Sequence, residues 1–346
     1  MKELPGQENC AMRTMTISKE EAGGRFDKYL KKLLSGAPAG FLYKMLRKKN
    51  ITLNGKKADG SEKLQVFDEV KLFFSDETFE KFSAKDSLEC EYEQLKNITQ
   101  QCPPVVYEDH DVIIVNKPAG LLSQKAERES LSANELILSY LIKQGSLTKE
   151  QLQLFRPSVC NRLDRNTSGL LVAGKTLLGL RTMSEAFKEH KVSKYYYCIV
   201  KGEVTESAYI RGWLTKDNAT NKVSVQKKAP AAKDKRSDDV LSGWEIETEY
   251  QPVWSVNGYS MLKVRLITGK SHQIRAHLAS VGRPVIGDPK YGDPEENRLF
   301  RRAAGVKAQL LHAYCLKFED GRAFTAQPGD AFHRTEAYIR NIRSYV

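Results

Sequence analysis

No apolar run in the sequence approaches the roughly 18 residues that a membrane span needs, so no transmembrane helix is expected. The first residues, MKELPGQENC, lack the basic-then-apolar order of a secretory leader. Cysteine is sparse and dispersed: Cys10, Cys90, Cys102, Cys160, Cys198 and Cys315 include no close pair. Zinc sites usually bring two ligands within a few residues, and small secreted scaffolds pack cysteines densely. Neither pattern occurs, which points to reduced thiols in a soluble cytoplasmic protein. There is also no fixed-period repeat and no long low-complexity tract.

What the chain does have is positive charge. Its 346 residues carry 55 Lys+Arg against 43 Asp+Glu, a net +12, with 40% of residues hydrophobic. That length accommodates two domains and a full core in at least one of them. Excess cation suits a polyanionic partner, because each phosphate neutralised by Lys or Arg releases a condensed counterion. The charge is unevenly spread. Residues 12–74 hold 14 basic and 7 acidic side chains, 76–102 hold 3 and 7, and 103–346 hold 37 and 27. The simplest division is an N-terminal tail (1–13), a compact basic module (14–75), an acidic linker (76–102) and a larger basic domain (103–346).

In the basic module, Phe26, Leu30 and Leu33 share one helical face, as do Leu42, Met45 and Leu46. The stretch Gly36-Ala37-Pro38-Ala39-Gly40 breaks the chain between them. Ile51-Thr52-Leu53 runs into the tight-turn pair Asn54-Gly55, and residues 67–72 alternate like a half-buried strand. Lys44, Arg47, Lys48 and Lys49 crowd the end of the second helix, and Lys56 follows the turn. The segments 25–30, 47–56 and 67–70 resemble the S4 RNA-binding domain. The resemblance implies that these five cations lie on structured RNA, where flexible charges beside a rigid turn suit phosphate contacts.

The larger domain mixes strands and helices. Asp111-Val112-Ile113-Ile114-Val115 and Ser168-Gly169-Leu170-Leu171-Val172-Ala173 read as buried strands. Leu177, Leu180, Met183 and Phe187 keep helical spacing, while Leu262, Val264 and Leu266 alternate with polar residues. Strands outnumber helices and seldom alternate with them, so an α+β domain on a mostly antiparallel mixed sheet is predicted. Residues 227–239, rich in Lys, Ala and Asp, read as an exposed loop.

The most informative segment is Asn161-Arg162-Leu163-Asp164-Arg165-Asn166-Thr167-Ser168-Gly169. It sets a carboxylate between two arginines in a polar turn directly before an apolar strand. Neighbouring cations favour the ionised carboxylate, and a carboxylate held so at a sheet edge can act as nucleophile or base. The segment resembles the catalytic motif of the RluA family of pseudouridine synthases, with Asn161 standing where the family usually has His. Asn116-Lys117-Pro118-Ala119-Gly120, Lys194-Tyr195-Tyr196 and Thr268-Gly269-Lys270-Ser271-His272-Gln273-Ile274-Arg275 follow in the family's order, as do residues 282–288 and 311–313. The resemblance spans roughly residues 103–325.

The resemblance implies that Asp164 is the nucleophile, that Arg275 pairs with it, and that Tyr196 stacks on the uracil and serves as base for the C5 proton. Arg162 would fill the gap left by a flipped nucleotide. Tyr195 and Tyr197 should face the other way along their strand. Moving C1′ from uracil N1 to C5 gains no atoms, so no cofactor is required. His272, His277 and His312 lack carboxylate or cysteine ligands at matching spacing, and no metal is expected. An S4 module joined to an RluA-like domain resembles the bacterial enzymes of large-subunit ribosomal RNA. Ribosomal RNA is therefore the expected partner, tRNA the second choice, and a monomer the expected state. Two rival classes are a non-catalytic RNA-binding or assembly factor and a hydrolytic N-glycosidase. The retained Asp164, Tyr196 and Arg275 argue against the first. The second would want another carboxylate to activate water, and no motif supplies one.

Overall fold

The structure, a computed structural model, describes residues 11–18, 21–34, 36–82, 84–125, 130–217, 222–227 and 243–342. Tail residues 1–10 and loop residues 228–239 lie outside the described residues. Contacts group the chain into two compact units, residues 1–97 with 148–153 and residues 98–147 with 154–346.

The first unit contains strands β1 (Ala11–Thr16), β2 (Ile51–Leu53), β3 (Lys56–Lys57) and β4 (Glu69–Phe74), and helices α1 (Phe26–Leu33), α2 (Ala39–Arg47), α3 (Asp76–Phe82) and α4 (Ala84–Lys96). The strands form one antiparallel sheet in the order β1-β4-β2-β3. Asn54 and Gly55 both adopt positive φ (50° and 72°), which matches a two-residue hairpin turn to the right-handed strand twist. Phe26 and Leu30 of α1, Leu42 and Leu46 of α2, and Val70, Leu72 and Phe74 of β4 close one core.

Two boundaries differ from the sequence reading. β1 begins at Ala11, inside the supposed tail, because β4 offers it a six-residue antiparallel partner from Ala11↔Phe74 to Thr16↔Glu69. The supposed linker carries two helices, and Phe79 and Phe82 of α3 pack against the module's core, with the Phe82 ring 4.7 Å from Phe41. Its acidic composition hid these two aromatic anchors.

The second unit is built on an 11-stranded sheet whose main path runs β11-β10-β12-β13-β9-β14-β8-β6-β5. Its strands are β5 (Val105–Glu108), β6 (Val112–Lys117), β7 (Ser158–Val159), β8 (Ser168–Gly174), β9 (Val192–Lys201), β10 (Ala208–Asp217), β11 (Lys222–Gln226), β12 (Trp244–Val256), β13 (Tyr259–Leu266), β14 (Leu311–Phe318) and β15 (Ala323–Thr325). The helices after α4 are α5 (Ala133–Lys143), α6 (Lys149–Leu154), α7 (Leu177–Lys188), α8 (Gln273–Ser280), α9 (Pro294–Ala304) and α10 (Asp330–Asn341), of which α6 groups with the first unit but for its last residue. The fold is the expected α+β type on a mostly antiparallel mixed sheet. Strands β8 and β14 pair in parallel through His312↔Ser168 and Ala313↔Gly169. That junction explains one glycine: Gly169 has φ +118°, and a Cβ there would sit 2.3 Å from the Ala313 carbonyl oxygen. The chain thus leaves the Asp164 turn directly into an inner strand of the sheet. Among the described residues, no helix is long and apolar enough to cross a membrane.

Candidate active site

A cleft of about 1230 Å³ opens in the second unit, lined by the turn 160–165, by Tyr196 of β9 and by the segment 268–275 that leads into α8. Asp164, Arg162, Tyr196 and Arg275 all line it, so the fold brings together four residues separated by up to 113 positions (275 − 162).

The turn that carries Asp164 is held by side chains on both flanks. Asn161 Oδ1 accepts from the Val172 N–H at 2.8 Å, and its Nδ2 donates to the Leu170 carbonyl at 3.2 Å, so the amide clips the turn to β8. Ser123 Oγ donates to the Leu163 carbonyl at 2.9 Å and accepts from the Leu163 N–H at 3.0 Å. The two arginines beside Asp164 are not its partners among the described residues. Arg165 donates through Nε to the Gly120 carbonyl at 3.1 Å, and Arg162 projects exposed at the cleft.

The partner is instead Arg275, which donates through Nη1 to Asp164 Oδ2 at 2.7 Å. Its other two nitrogens grip Asp288: Nε to Oδ2 at 2.6 Å and Nη2 to Oδ1 at 2.9 Å. Asp288 Oδ1 also accepts the Lys290 and Tyr291 N–H groups at 2.8 and 3.1 Å. Asp288 is fully buried and Arg275 nearly so, at 0% and 4% exposure. Burial pulls the guanidinium pKa down, but the hydrogen bonds and charge of Asp288, then of Asp164, outweigh it and raise it. Burial likewise pushes the Asp288 carboxyl up, and Arg275 with the two backbone donors brings it below the ordinary range. A bidentate grip of this kind fixes the guanidinium plane, so Nη1 points an N–H at Asp164 in a set direction.

Tyr196 is buried at the cleft wall, and burial first, then the Asp164 charge, pushes its phenol pKa above the ordinary value. Tyr195 and Tyr197 turn to the other face, where Tyr197 stacks on Tyr314 at 3.8 Å. Lys117, at the end of β6, is completely buried with Nζ donating to the carbonyls of Pro118 (3.0 Å), Leu121 (2.8 Å) and Arg165 (3.1 Å). Burial lowers its pKa to about 8, opposed by the Asp164 charge. It ties the loop after β6 to the Asp164 turn.

His277 and His312 are core residues. His277 Nδ1 meets Thr248 Oγ1 at 3.0 Å, and His312 bridges Ser168 Oγ (2.8 Å) to the Ala326 carbonyl (2.9 Å). Burial lowers both pKa values to about 4. Among the described residues no cluster of three or more His, Cys, Asp or Glu could hold a metal ion. Lys44, Arg47, Lys48, Lys49 and Lys56 lie exposed in the first unit, and none pairs with a carboxylate among the described residues. Asp288 and the anchoring role of Lys117 escaped the sequence reading. The only available signal for Asp288 was its place at the end of the segment 282–288, and nothing local announces that its partner lies on α8.

The RNA pseudouridylate synthase family matches residues 111–280, which include Asp164, Tyr196 and Arg275. Ribosomal large subunit pseudouridine synthase C of Pasteurella multocida (strain Pm70) is 27% identical, with 90% of this chain and 87% of that protein covered. The protein of the same name from Haemophilus influenzae (strain ATCC 51907 / DSM 11121 / KW20 / Rd) is 28% identical over 90% and 88%. Over these residues the chain is similar to the RNA pseudouridylate synthases, as the motifs it shares with the RluA family implied. Human RNA Pseudouridylate Synthase Domain Containing 4 has a similar fold, with TM-score 0.55 and 18% identity over 73% of this chain and 97% of that structure. The chain is a pseudouridine synthase, an enzyme acting on RNA.

Proposed function

We propose that this enzyme isomerises specific uridines of large-subunit ribosomal RNA in the cytoplasm, as a monomer and without a cofactor, using Asp164 as nucleophile. The observation that carries the reading is Asp164 at the cleft, hydrogen-bonded by a guanidinium that Asp288 has already oriented. The reaction breaks C1′–N1, turns the detached uracil, forms C1′–C5, loses the C5 proton and protonates N1. A uridine in folded RNA must leave the stack first, at a cost of about a few kcal/mol. Arg162, exposed at the cleft and unpaired among the described residues, is suited to stack in the vacated space. Tyr196 offers a ring for the base to lie on and a phenol oxygen for the C5 proton. Its raised pKa means the neutral phenol dominates at rest, so the oxygen can take the C5 proton only as its own proton passes on toward N1, which the product must protonate.

Residues 14–75 act in this reading as an S4-like RNA-binding module, with Lys44, Arg47, Lys48, Lys49 and Lys56 on the phosphate backbone. The names of the relatives favour large-subunit ribosomal RNA over tRNA. Mapping pseudouridines in total RNA from cells with and without the protein decides between them. Asp164→Asn in the same cells should erase every dependent site while the purified variant still binds that RNA. Normal modification by the variant would refute the nucleophile assignment.

A further inference from the structure

We propose that His272 is a further catalytic residue, whose Nε2–H donates to a carbonyl oxygen of the uracil while the base is detached. The inference rests on the reading of Asp164 as nucleophile and adds the group that receives the leaving base.

Breaking C1′–N1 with the electron pair moving to the base leaves uracil as an anion, its charge shared among N1 and the two carbonyl oxygens. A fixed donor beside that charge is worth most in a water-poor cleft. Two cationic groups beside Asp164 are committed elsewhere. Arg275 points two nitrogens at Asp288 and one at Asp164. Lys117 directs its ammonium at three backbone carbonyls. Lys117 therefore serves the backbone, and Arg275 serves the nucleophile.

His272 is placed differently. It lines the cleft, and its Nε2 lies 4.0 Å from Asp164 Oδ2, too far for a hydrogen bond but within reach of anything seated on Asp164. Its tautomer follows from its neighbours. The Tyr291 hydroxyl oxygen accepts the Val223 N–H at 2.9 Å and stands 3.0 Å from His272 Nδ1. The arrangement that uses every group has Tyr291 donating to Nδ1, which leaves the imidazole proton on Nε2, facing the cleft. Burial first, then the Arg275 and Lys290 charges, lowers the imidazole pKa against the opposing pull of Asp164 and Asp288, so the ring is a neutral donor at physiological pH. A neutral ring also avoids competing with Arg275 for the nucleophile.

The backbone is built to hold this position. His272 adopts left-handed φ 57° at the N-cap of α8. The turn before it is closed by Gln273, whose Oε1 accepts from Thr268 Oγ1 at 2.9 Å and from the Lys270 N–H at 3.0 Å. A β-carbon residue in left-handed geometry costs free energy that a plain loop residue would not need to spend. Asn tolerates this geometry well, and that sets up the test.

His272→Asn keeps the backbone but withdraws the donor, because the Asn amide reaches only to the Nδ1 position. His272→Gln returns an N–H at the Nε2 position. Both full-length variants are compared with the parent on total RNA from cells lacking the protein. The readouts are single-turnover pseudouridylation rate, RNA affinity and melting temperature. The expected result is a rate lower by about 10²-fold for His272→Asn, affinity within about twofold, and recovery of most of that rate in His272→Gln. Equal loss in both variants, whether or not the melting temperature falls, would overturn the proposal, as would a loss confined to affinity or no loss at all. Asp164→Asn run beside them separates the two ideas: activity in that variant refutes the nucleophile assignment, whereas the His272 pair reports on the donor alone.

Discussion

The cations of the first unit and the guanidinium that lines the cleft are held in opposite ways. Lys44, Arg47, Lys48, Lys49 and Lys56 are exposed and carry no carboxylate partner among the described residues. Arg275 is buried and has every nitrogen committed, to Asp288 twice and to Asp164 once. Phosphate recognition needs charge that can adapt to a backbone, and rigid geometry would add little. A nucleophile needs one direction held within fractions of an ångström, which solvated side chains cannot supply. The desolvation this demands is tolerable only because a second carboxylate is buried beside the first. Asp288 is thus the counterpart that the exposed lysines do without.

The contrast breaks most sharply at Asp288. Asp288→Ala leaves a buried guanidinium half-paired, which should cost about 3–5 kcal/mol of stability in urea unfolding. Single-turnover rate should fall by about 10²-fold, since a loosened Arg275 no longer directs Asp164. A stable, fully active Asp288→Ala would show that the two classes of cation are not so different after all.

Acid should separate the two units next. All six histidines of the chain lie beyond residue 109, in the second unit. Buried His277 and His312 are held to pKa values of about 4, below the ordinary 6.5. The unfolded chain therefore binds the extra protons first. Their contribution is fully present above about pH 6.5 and is lost as pH falls toward about 4, on the order of a few kcal/mol in all. In the first unit, Asp27 and Asp59 have lowered carboxyl pKa values, so their contribution declines only as pH falls below about 3.8. Hydrogen exchange followed peptide by peptide should lose protection in the second unit between pH 6.5 and 4 while the first keeps it. Parallel loss in both would dissolve the distinction.

The smallest effect is expected from the exposed cations. Replacing Lys44, Arg47, Lys48 and Lys49 together by Ala should lower RNA affinity and flatten the log–log salt dependence by up to about 3. Stability should stay within about 0.5 kcal/mol, and the rate at saturating RNA should change little. Lys56→Ala alone should shift affinity by only about twofold, a single phosphate contact among several. A large rate effect from any of these would place the cations nearer the chemistry than their exposure suggests.

Much of this was legible in residue order. The strand cores at 112–117 and 168–174, the α7 periodicity and the Asn54-Gly55 turn express local patterning that needs no knowledge of the rest of the chain. The acidic composition of 76–102 concealed Phe79 and Phe82, whose role depends on a core formed by distant residues. The Asp164 turn was conspicuous, yet the charges that mattered were not its neighbours Arg162 and Arg165. Adjacent residues on a turn diverge, and the electrostatic partner arrived from α8, 111 positions on.

By itself the order of residues determined which chemistry the chain carries: a carboxylate, a tyrosine and two arginines in ordered motifs, and a cationic surface, since these depend on residue type and spacing. Only the tertiary structure decided which charges meet and which nitrogens stay free. Burial sets the strength of a charge and packing sets its direction, and both come from segments far apart in the chain. Asp288 beneath Arg275, and His272 turned by Tyr291 toward the cleft, exist as functional features only once the chain is folded.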